Sequence, residues 1–406
     1  MDWSAAAVVA YPYVIYPALL WLRSRLFPRP VRYGEACQGL PSVSVLIAAY
    51  NEHGSVGRRV REFAHRIASN GLDGEVVVVS DGSTDGTAEA ARHAAAELAA
   101  GGISVPVRVI ALRRNVGKSA ALAAGSHAAK GDVLVLADAR QTWAPDALTR
   151  LLENFHDPEV GAVSGELEIE SVPGVMSGVG LYWRLEKWMR RQEGLAHSTV
   201  GLTGAICAVR RELFHPPPPG TILDDVYWPL LVVMNGRRVV FDSRARAYDR
   251  LPDRVGDEFR RKVRTLSGNF QLVARLPAAL LPGSNPVWFA LWSHKLSRLA
   301  VPWALPAALF ASASLGGPLY GGLFAAQLLG TAFGLAGLWP RVGERSRLAA
   351  AGASFLTLNA AAWLAFWVWA TGRTSRCWNK TDYTPHTVTA AEPSAVSTPI
   401  FEGVVP

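Results

Sequence analysis

Three long stretches of this chain carry no charged residue: Trp3 to Leu22, Leu299 to Pro340 and Leu348 to Gly372. A helix crosses the hydrocarbon core of a bilayer with roughly 20 apolar residues. The stretches therefore read as one, two and one transmembrane helices, with Gly316, Gly317 and Pro318 breaking the long one. Only the middle, about residues 41 to 270, has soluble character, and in a chain of 406 residues it has room for one catalytic domain.

The first apolar stretch is preceded only by Met1 and Asp2 and followed by no small-residue cleavage site, so it is expected to be retained as a span. Arg23, Arg25, Arg29 and Arg32 come directly after it, and the positive-inside rule then puts the middle region in the cytoplasm of a multi-pass cell-membrane protein. Cys37, Cys207 and Cys377 are too scattered for a disulfide framework or zinc spacing, in keeping with a reducing compartment. The net charge of +8 comes without any nucleic-acid motif, and the arginines gather beside apolar segments. Anionic membrane lipid is the expected counter-charge, and no nucleic-acid partner is expected.

In the middle region, Val43 to Ala48, Glu75 to Ser80, Val107 to Leu112 and Asp132 to Leu136 are short runs rich in β-branched residues, bounded by turn residues. Alanine-rich stretches such as Thr84 to Ala100 and Lys118 to Ala129 lie between them. Alternating strands and helices of this length predict crossover units, a mostly parallel sheet and an α/β domain. Ligands of such sheets bind at the carboxyl ends of the strands. Those ends carry Tyr50, Asn51 and Glu52; Asp81, Ser83 and Asp85; Asn115, Gly117 and Lys118; and Asp138. Ser83 or Asp85 taken alone serves equally well as a helix cap. Gly117-Lys118-Ser119 is no P-loop, because the glycine required five residues earlier is Leu112.

Together VSVLIAAYNE (43 to 52), VVVVSDGSTDGT (76 to 87), NVGKSAALAAG (115 to 125), VLVLADAR (133 to 140), GLTGAICAVRREL (201 to 213) and ILDDVYWPLLVVMNGRRVVF (222 to 241) resemble the inverting family 2 glycosyltransferases of GT-A fold. The nearer likeness is to their membrane-bound members, the cellulose, hyaluronan and poly-N-acetylglucosamine synthases. The resemblance implies a nucleotide-diphospho-sugar transferase domain at 41–250 that uses a UDP-sugar donor. Ala48, Tyr50, Glu52, Asp81 and Ser83 would form the nucleotide pocket, and Lys118 would face the diphosphate. Asp138 would stand for the first aspartate of the DxD motif and help hold Mg²⁺ or Mn²⁺. Asp225 aligns with the general base, with Asp224 as its rival, and Thr203, Gly204 and Arg264 fall at acceptor-binding positions.

Two departures from the family pattern stand out. Arg140 replaces the second DxD aspartate; it cannot ligate a metal, so it either leaves Asp138 as the identified ligand or itself pairs with phosphate. At the QxxRW position of processive enzymes the chain has Arg261 to Thr265, which keeps Arg264 and loses the glutamine and tryptophan. A polysaccharide or glycolipid product is expected, with a single-sugar transferase to polyprenyl phosphate or lipid, and a non-catalytic export subunit, as alternatives. An accessory membrane subunit is a candidate partner.

Phe259, Val263, Leu266, Phe270 and Val273 share one helical face, with Arg260, Arg261, Lys262 and Arg264 elsewhere around it. This predicts an amphipathic interfacial segment at 251–295, with a core helix as the plainer alternative. Tyr182, Trp183, Lys187, Trp188, Arg190 and Arg191 suggest a second such helix. The rest of the layout is a span at 1–27, about three spans at 296–372 and a tail at 373–406. Trp378 and Lys380 in that tail resemble the gating motif of hyaluronan synthases, although an interfacial tryptophan with snorkelling cations reads the same way. A gating tail must lie on the domain's side of the membrane, which calls for an extra span or re-entrant segment among residues 272 to 292. Beyond about Pro385 the composition predicts disorder.

Overall fold

The structure is a computed structural model that describes residues 3–33, 39–170, 177–250 and 255–373. The chain begins with α1 (Trp3–Ala10), which passes through a π-helical turn at Tyr11–Ile15 into α2 (Tyr16–Leu26), giving one apolar rod of 24 residues. The wide turn contains Pro12 and ends two residues before Pro17, and the two prolines withdraw two backbone donors from the helical ladder.

Four parallel strands with intervening helices follow: β1 (Val43–Ala49), α3 (His53–Ser69), β2 (Gly74–Asp81), α4 (Thr87–Ala100), β3 (Val107–Leu112), α5 (Lys118–Ala128) and β4 (Val133–Asp138). The second half supplies β5 (Thr142–Trp143), α6 (Ala147–Glu153), β6 (Val160–Glu170), α7 (Ser177–Ala196), β7 (Ile206–Arg210), α8 (Asp224–Met234) and β8 (Arg238–Arg250). They form one eight-stranded sheet in the order β3-β2-β1-β4-β7-β6-β8-β5. Strand β7 runs antiparallel to both its neighbours and β5 antiparallel to β8, while β6 and β8 pair in parallel. The predicted α/β domain with a mostly parallel sheet is present.

The central strands are apolar on both faces because helices cover both. Val43, Val45 and Ile47 of β1 meet Val56, Val60, Phe63 and Ile67 of α3 on one side. Leu46, Val77, Val79, Leu134 and Leu136 meet Leu122 of α5 and Leu230 and Val233 of α8 on the other. Asp138 and Asp81 close their strands at the same edge of this sheet.

After the domain comes α9 (Val255–Arg275), a short 3-10 turn at Pro277–Leu280, then α10 (Trp288–Ala290) leading through a π-helical turn into α11 (Ser297–Leu315). Next are α12 (Gly317–Ala336), α13 (Pro340–Gly343) and α14 (Arg347–Ala370). Gly316 and Gly317, with φ of 64° and 83°, break the long apolar stretch at the place the sequence marks. Among the described residues four helices are long and apolar enough to cross a membrane: Trp3–Leu26, Trp288–Leu315, Gly317–Ala336 and Arg347–Ala370. The extra span sought among residues 272 to 292 is not one of them, since Pro277, Pro282, Gly283 and Pro286 limit that stretch to a single 3-10 turn before Trp288.

Two helices join the domain to these spans. The apolar stripe of α9, Phe259, Val263, Leu266 and Phe270, lies against Ala361, Ala365 and Val368 of α14, and Phe270 stacks on Trp369 with ring centres 5.6 Å apart. Protein covers this stripe, and its cover is a helix long and apolar enough to cross a membrane. On the other side Leu185, Trp188 and Met189 of α7 pack on Tyr16 and Leu20 of α2.

Candidate active site

Asp81 shapes the first wall. Its two carboxylate oxygens accept hydrogen bonds from the backbone N–H groups of Val116 and Gly117, both at 2.8 Å. Gly117 has φ of 89°, which a side chain would oppose, and it releases the chain into α5 at Lys118. The Lys118 Nζ then donates to Asp138 Oδ1 at 2.9 Å, bringing the third and fourth strand ends together. Burial works against the ammonium, but Asp138 and then Asp224 outweigh it and hold the lysine charged.

The second wall comes from α8 and the segment before β7. Asp224 and Asp225 open α8, and the Asp225 carbonyl accepts from Leu202 N–H at 2.8 Å. Gly204 sits between the walls: a Cβ there would lie 3.6 Å from Lys118 Nζ and 3.7 Å from the Asp225 Cβ. Ala48, Lys118, Asp138, Gly204, Asp224 and Asp225 line one cleft floored by Leu122, Leu136, Cys207 and Trp228. Burial, and then the neighbouring charge of Asp224, push the Asp225 carboxyl up to about 6. Burial likewise raises the Cys207 thiol, which makes it an inert floor residue.

The remaining sequence candidates surround this cleft. Tyr50 is 40% exposed at the end of β1. Asn51, the one non-glycine residue with positive φ among the described residues, ties the β1 and β2 loops together: its N–H donates to Ser83 Oγ at 3.1 Å, and its Oδ1 accepts from Thr84 N–H at 2.9 Å. Glu52 N–H donates to Thr87 Oγ1 at 2.8 Å, and Glu52 Oε2 accepts from Ser55 Oγ at 2.7 Å. Arg140 donates to Asp249 Oδ2 of β8 at 2.6 Å, and Gln141 donates to the same oxygen at 3.1 Å. Thr203 N–H donates to Ser164 Oγ at 2.9 Å, and its Oγ1 accepts from Arg190 at 2.8 Å. Arg264 belongs to α9 and is not among the cleft-lining residues. Trp378 and Lys380, and the tail expected to be disordered, lie outside the described residues.

Trp228 is one of three tryptophans, with Trp183 and Trp188, that the sequence offers as a stacking platform in place of the lost QxxRW tryptophan, whereas Arg190 escaped the sequence reading as a site residue. Trp228 stands three residues after Asp225 on the same helix, a spacing that places the two side by side. Arg190 was visible only as part of an aromatic and basic run.

A divalent cation fits the residues present in one particular way. Among the described residues no three His, Cys, Asp or Glu side chains gather as a metal cage. The Asp138 side chain is 34% exposed and gives one oxygen to Lys118. A single accessible carboxylate suits a cation that takes most of its oxygen ligands from a diphosphate and water, as Mg²⁺ does.

The profile of the family described as Glycosyl transferase family 2 matches residues 44–215, which contain every cleft residue up to Cys207. Over residues 44–215 the chain is therefore similar to the family 2 glycosyltransferases. The chain is 22% identical to a poly-β-1,6-N-acetyl-D-glucosamine synthase of Staphylococcus aureus, with 65% of each chain covered, so it spans somewhat less than two thirds of that relative. A shorter match, 36% identical over 27% of this chain and 33% of the relative, is to the undecaprenyl-phosphate 4-deoxy-4-formamido-L-arabinose transferase of Edwardsiella ictaluri. In fold the chain resembles a mannosyltransferase of Pyrobaculum calidifontis solved with GDP-mannose and Mn²⁺. The TM-score is 0.67 at 24% identity, over 91% of this chain and 98% of that one.

Proposed function

We propose that this chain moves a sugar from a UDP-sugar to a hydroxyl of a polysaccharide or glycolipid acceptor held at the membrane, with inversion at the anomeric carbon. The observation that carries this reading is the single cleft in which Asp224 and Asp225 face Lys118 and Asp138 across Gly204, where burial and then Asp224 push the Asp225 carboxyl up to about 6. A general base works best when its pKa lies near the operating pH. Asp225 takes the acceptor proton as the acceptor oxygen bonds to the anomeric carbon. The bond from that carbon to the diphosphate breaks, and UDP leaves with the electron pair. Lys118 offers its charge to the departing diphosphate from the N-terminus of α5, where the helix dipole adds to it. Asp138 would hold Mg²⁺ or Mn²⁺, which would supply charge neutralisation on the leaving phosphates. The Mn²⁺ in the Pyrobaculum enzyme supports that reading.

The second reading is addition of a single sugar to a polyprenyl phosphate. The Edwardsiella relative and the exposed Thr265 at the QxxRW tryptophan position favour it. A phosphate acceptor is already ionised, however, and neither needs a base nor tolerates two adjacent carboxylates well, so the Asp224–Asp225 pair favours a hydroxyl. The intact carboxylates and lysine also speak against a non-catalytic subunit. Arg23 and Arg25 in the last turn of α2 support a cytoplasmic domain beside anionic lipid, with α7 and α9 seating it at the surface. Membranes containing the full chain, incubated with a panel of UDP-sugars and GDP-mannose and analysed by mass spectrometry, test the proposal. It expects a glycan or glycolipid product formed from a UDP-sugar. A sugar found solely on a lipid phosphate, at large donor excess, would replace it with the second reading.

A further inference from the structure

Beneath the catalytic cleft lies an ion network that the transfer reaction does not require for its chemistry. Glu186 and Glu193 of α7 are 4% and 2% exposed, and their spacing of seven puts them on one helix face. His294, 1% exposed at the start of the second candidate span, sits between them. Its Nδ1 lies 2.7 Å from Glu193 Oε1 and its Nε2 3.0 Å from Glu186 Oε2. Lys295 and Arg298 of that same span each donate to Glu186 at 3.1 Å. From the first span the Tyr16 hydroxyl donates to Glu193 Oε1 at 2.9 Å. Although burial opposes it, His294, Lys295 and Arg298 hold the Glu186 carboxyl well below the usual carboxylate range. Apolar contacts would dock α7 on the spans at lower desolvation cost, so a buried network of this kind is weak evidence for a purely stabilising role.

Its connection to the cleft gives it another. Arg190, one turn along α7, has Nε 3.5 Å from Glu186 Oε1, and its other end donates to Thr203 Oγ1 at 2.8 Å. Thr203 immediately precedes Gly204, the residue between Lys118 and the base. We infer that Glu186 and Arg190 are positioning residues for the transfer: the second span grips Glu186, Glu186 holds Arg190, and Arg190 fixes the Thr203–Gly204 wall and turns its charge towards Asp225. The charged groups acting on Asp225 are Asp224 on its own helix, Arg190 of α7, Lys295 of the second span and Lys118 of α5. The three cations favour the ionised base, against burial and Asp224. The inference rests on Asp225 being the base.

The test uses the full chain in lipid nanodiscs, with kcat and kcat/KM followed against pH and donor binding measured separately. Arg190→Gln removes a cation near the base, so the acid limb should move up by about half a pH unit or more. Its kcat should fall and its donor affinity stay within about twofold, while Arg190→Lys returns the limb towards wild type. Glu186→Gln releases Arg190 from its counter-charge and should move the limb down, with a clearly smaller effect in the Arg190→Gln background. If Glu186→Gln does not fold, the two Arg190 variants decide. An unmoved limb in Arg190→Gln, or additive effects of the two substitutions, overturns the inference. Full activity in Asp225→Asn would overturn the base assignment itself, whereas a dead Asp225→Asn with an unmoved limb in Arg190→Gln overturns the coupling alone.

Discussion

Gly268→Ala tests whether α9 braces the segment that presents Asp225, the proposed base. A Cβ at Gly268 would lie 2.7 Å from Leu223 Cγ and 2.9 Å from Ile222 Cγ2. Carbon atoms rest at about 3.5–4.0 Å, so the overlap is roughly 0.8 Å. Leu223 Cγ is a branch carbon, and Leu223 is the N-cap of α8, directly before Asp224 and Asp225. The helix cannot simply slide away, because Gln271 accepts from Ile222 N–H at 2.9 Å and Arg275 donates to Thr221 Oγ1 at 2.6 Å. Overpacking of this kind costs about 1–3 kcal/mol. At roughly 2–4 °C per kcal/mol for a domain of this size, the melting temperature in detergent should fall by several degrees. Misplacement of a reacting group by about 1 Å costs up to a hundredfold, so kcat/KM should fall at least tenfold while UDP affinity stays within about threefold. Differential scanning fluorimetry with steady-state kinetics reads both effects. A melting temperature within about 1 °C of wild type together with unchanged kcat would refute the bracing.

Three further outcomes follow from the same geometry. Gly204→Ala makes only ordinary contacts, at 3.6 and 3.7 Å, so its melting temperature should match wild type; yet it fills the space between Lys118 and Asp225 and should lower kcat/KM for the donor about tenfold or more. Unchanged kinetics would remove the sugar from that space. Because the raised Asp225 carboxyl must be ionised to act, kcat/KM should fall tenfold per unit as pH drops below about 6, and an acid limb near 4 would contradict the buried pair. Excess EDTA should abolish transfer and Mg²⁺ or Mn²⁺ restore it, since Asp138 offers a cation one accessible carboxylate beside the diphosphate; full activity in EDTA would leave charge stabilisation to Lys118.

Much of this site is written in local sequence. The four strand ends that bear Glu52, Asp81, Lys118 and Asp138 follow from strand and helix alternation, because a parallel sheet gathers its carboxyl ends at one edge. The break at Gly316–Gly317 is equally local, since both residues adopt positive φ. What Asp81 does is less local: its oxygens fasten the Val116–Gly117 loop, a partnership between residues 35 and 36 positions apart that no spacing rule foretells. The pairing of Arg140 with Asp249 spans 109 positions and that of Glu186 with His294 spans 108. Such pairs depend on how β8 and the second span dock against the domain, which packing decides. The apolar stripe of α9 was legible as a stripe, but periodicity cannot say whether lipid or α14 covers it.

The central claim is that Asp225 takes the acceptor proton, and Asp225→Asn tests it most directly. Its raised carboxyl marks a group whose charge costs stability above about pH 6, a cost absent below the unfolded value near 4, so the variant should melt no lower than wild type at pH 7.5. Transfer of labelled sugar from a UDP-sugar to the membrane acceptor should fall about 100- to 10,000-fold, with UDP affinity within a few-fold of wild type. Asp224→Asn, assayed beside it, should lose less and move the acid limb down. Transfer by Asp225→Asn within a factor of a few of wild type, with Asp224→Asn inactive, would contradict the account and move the base to Asp224.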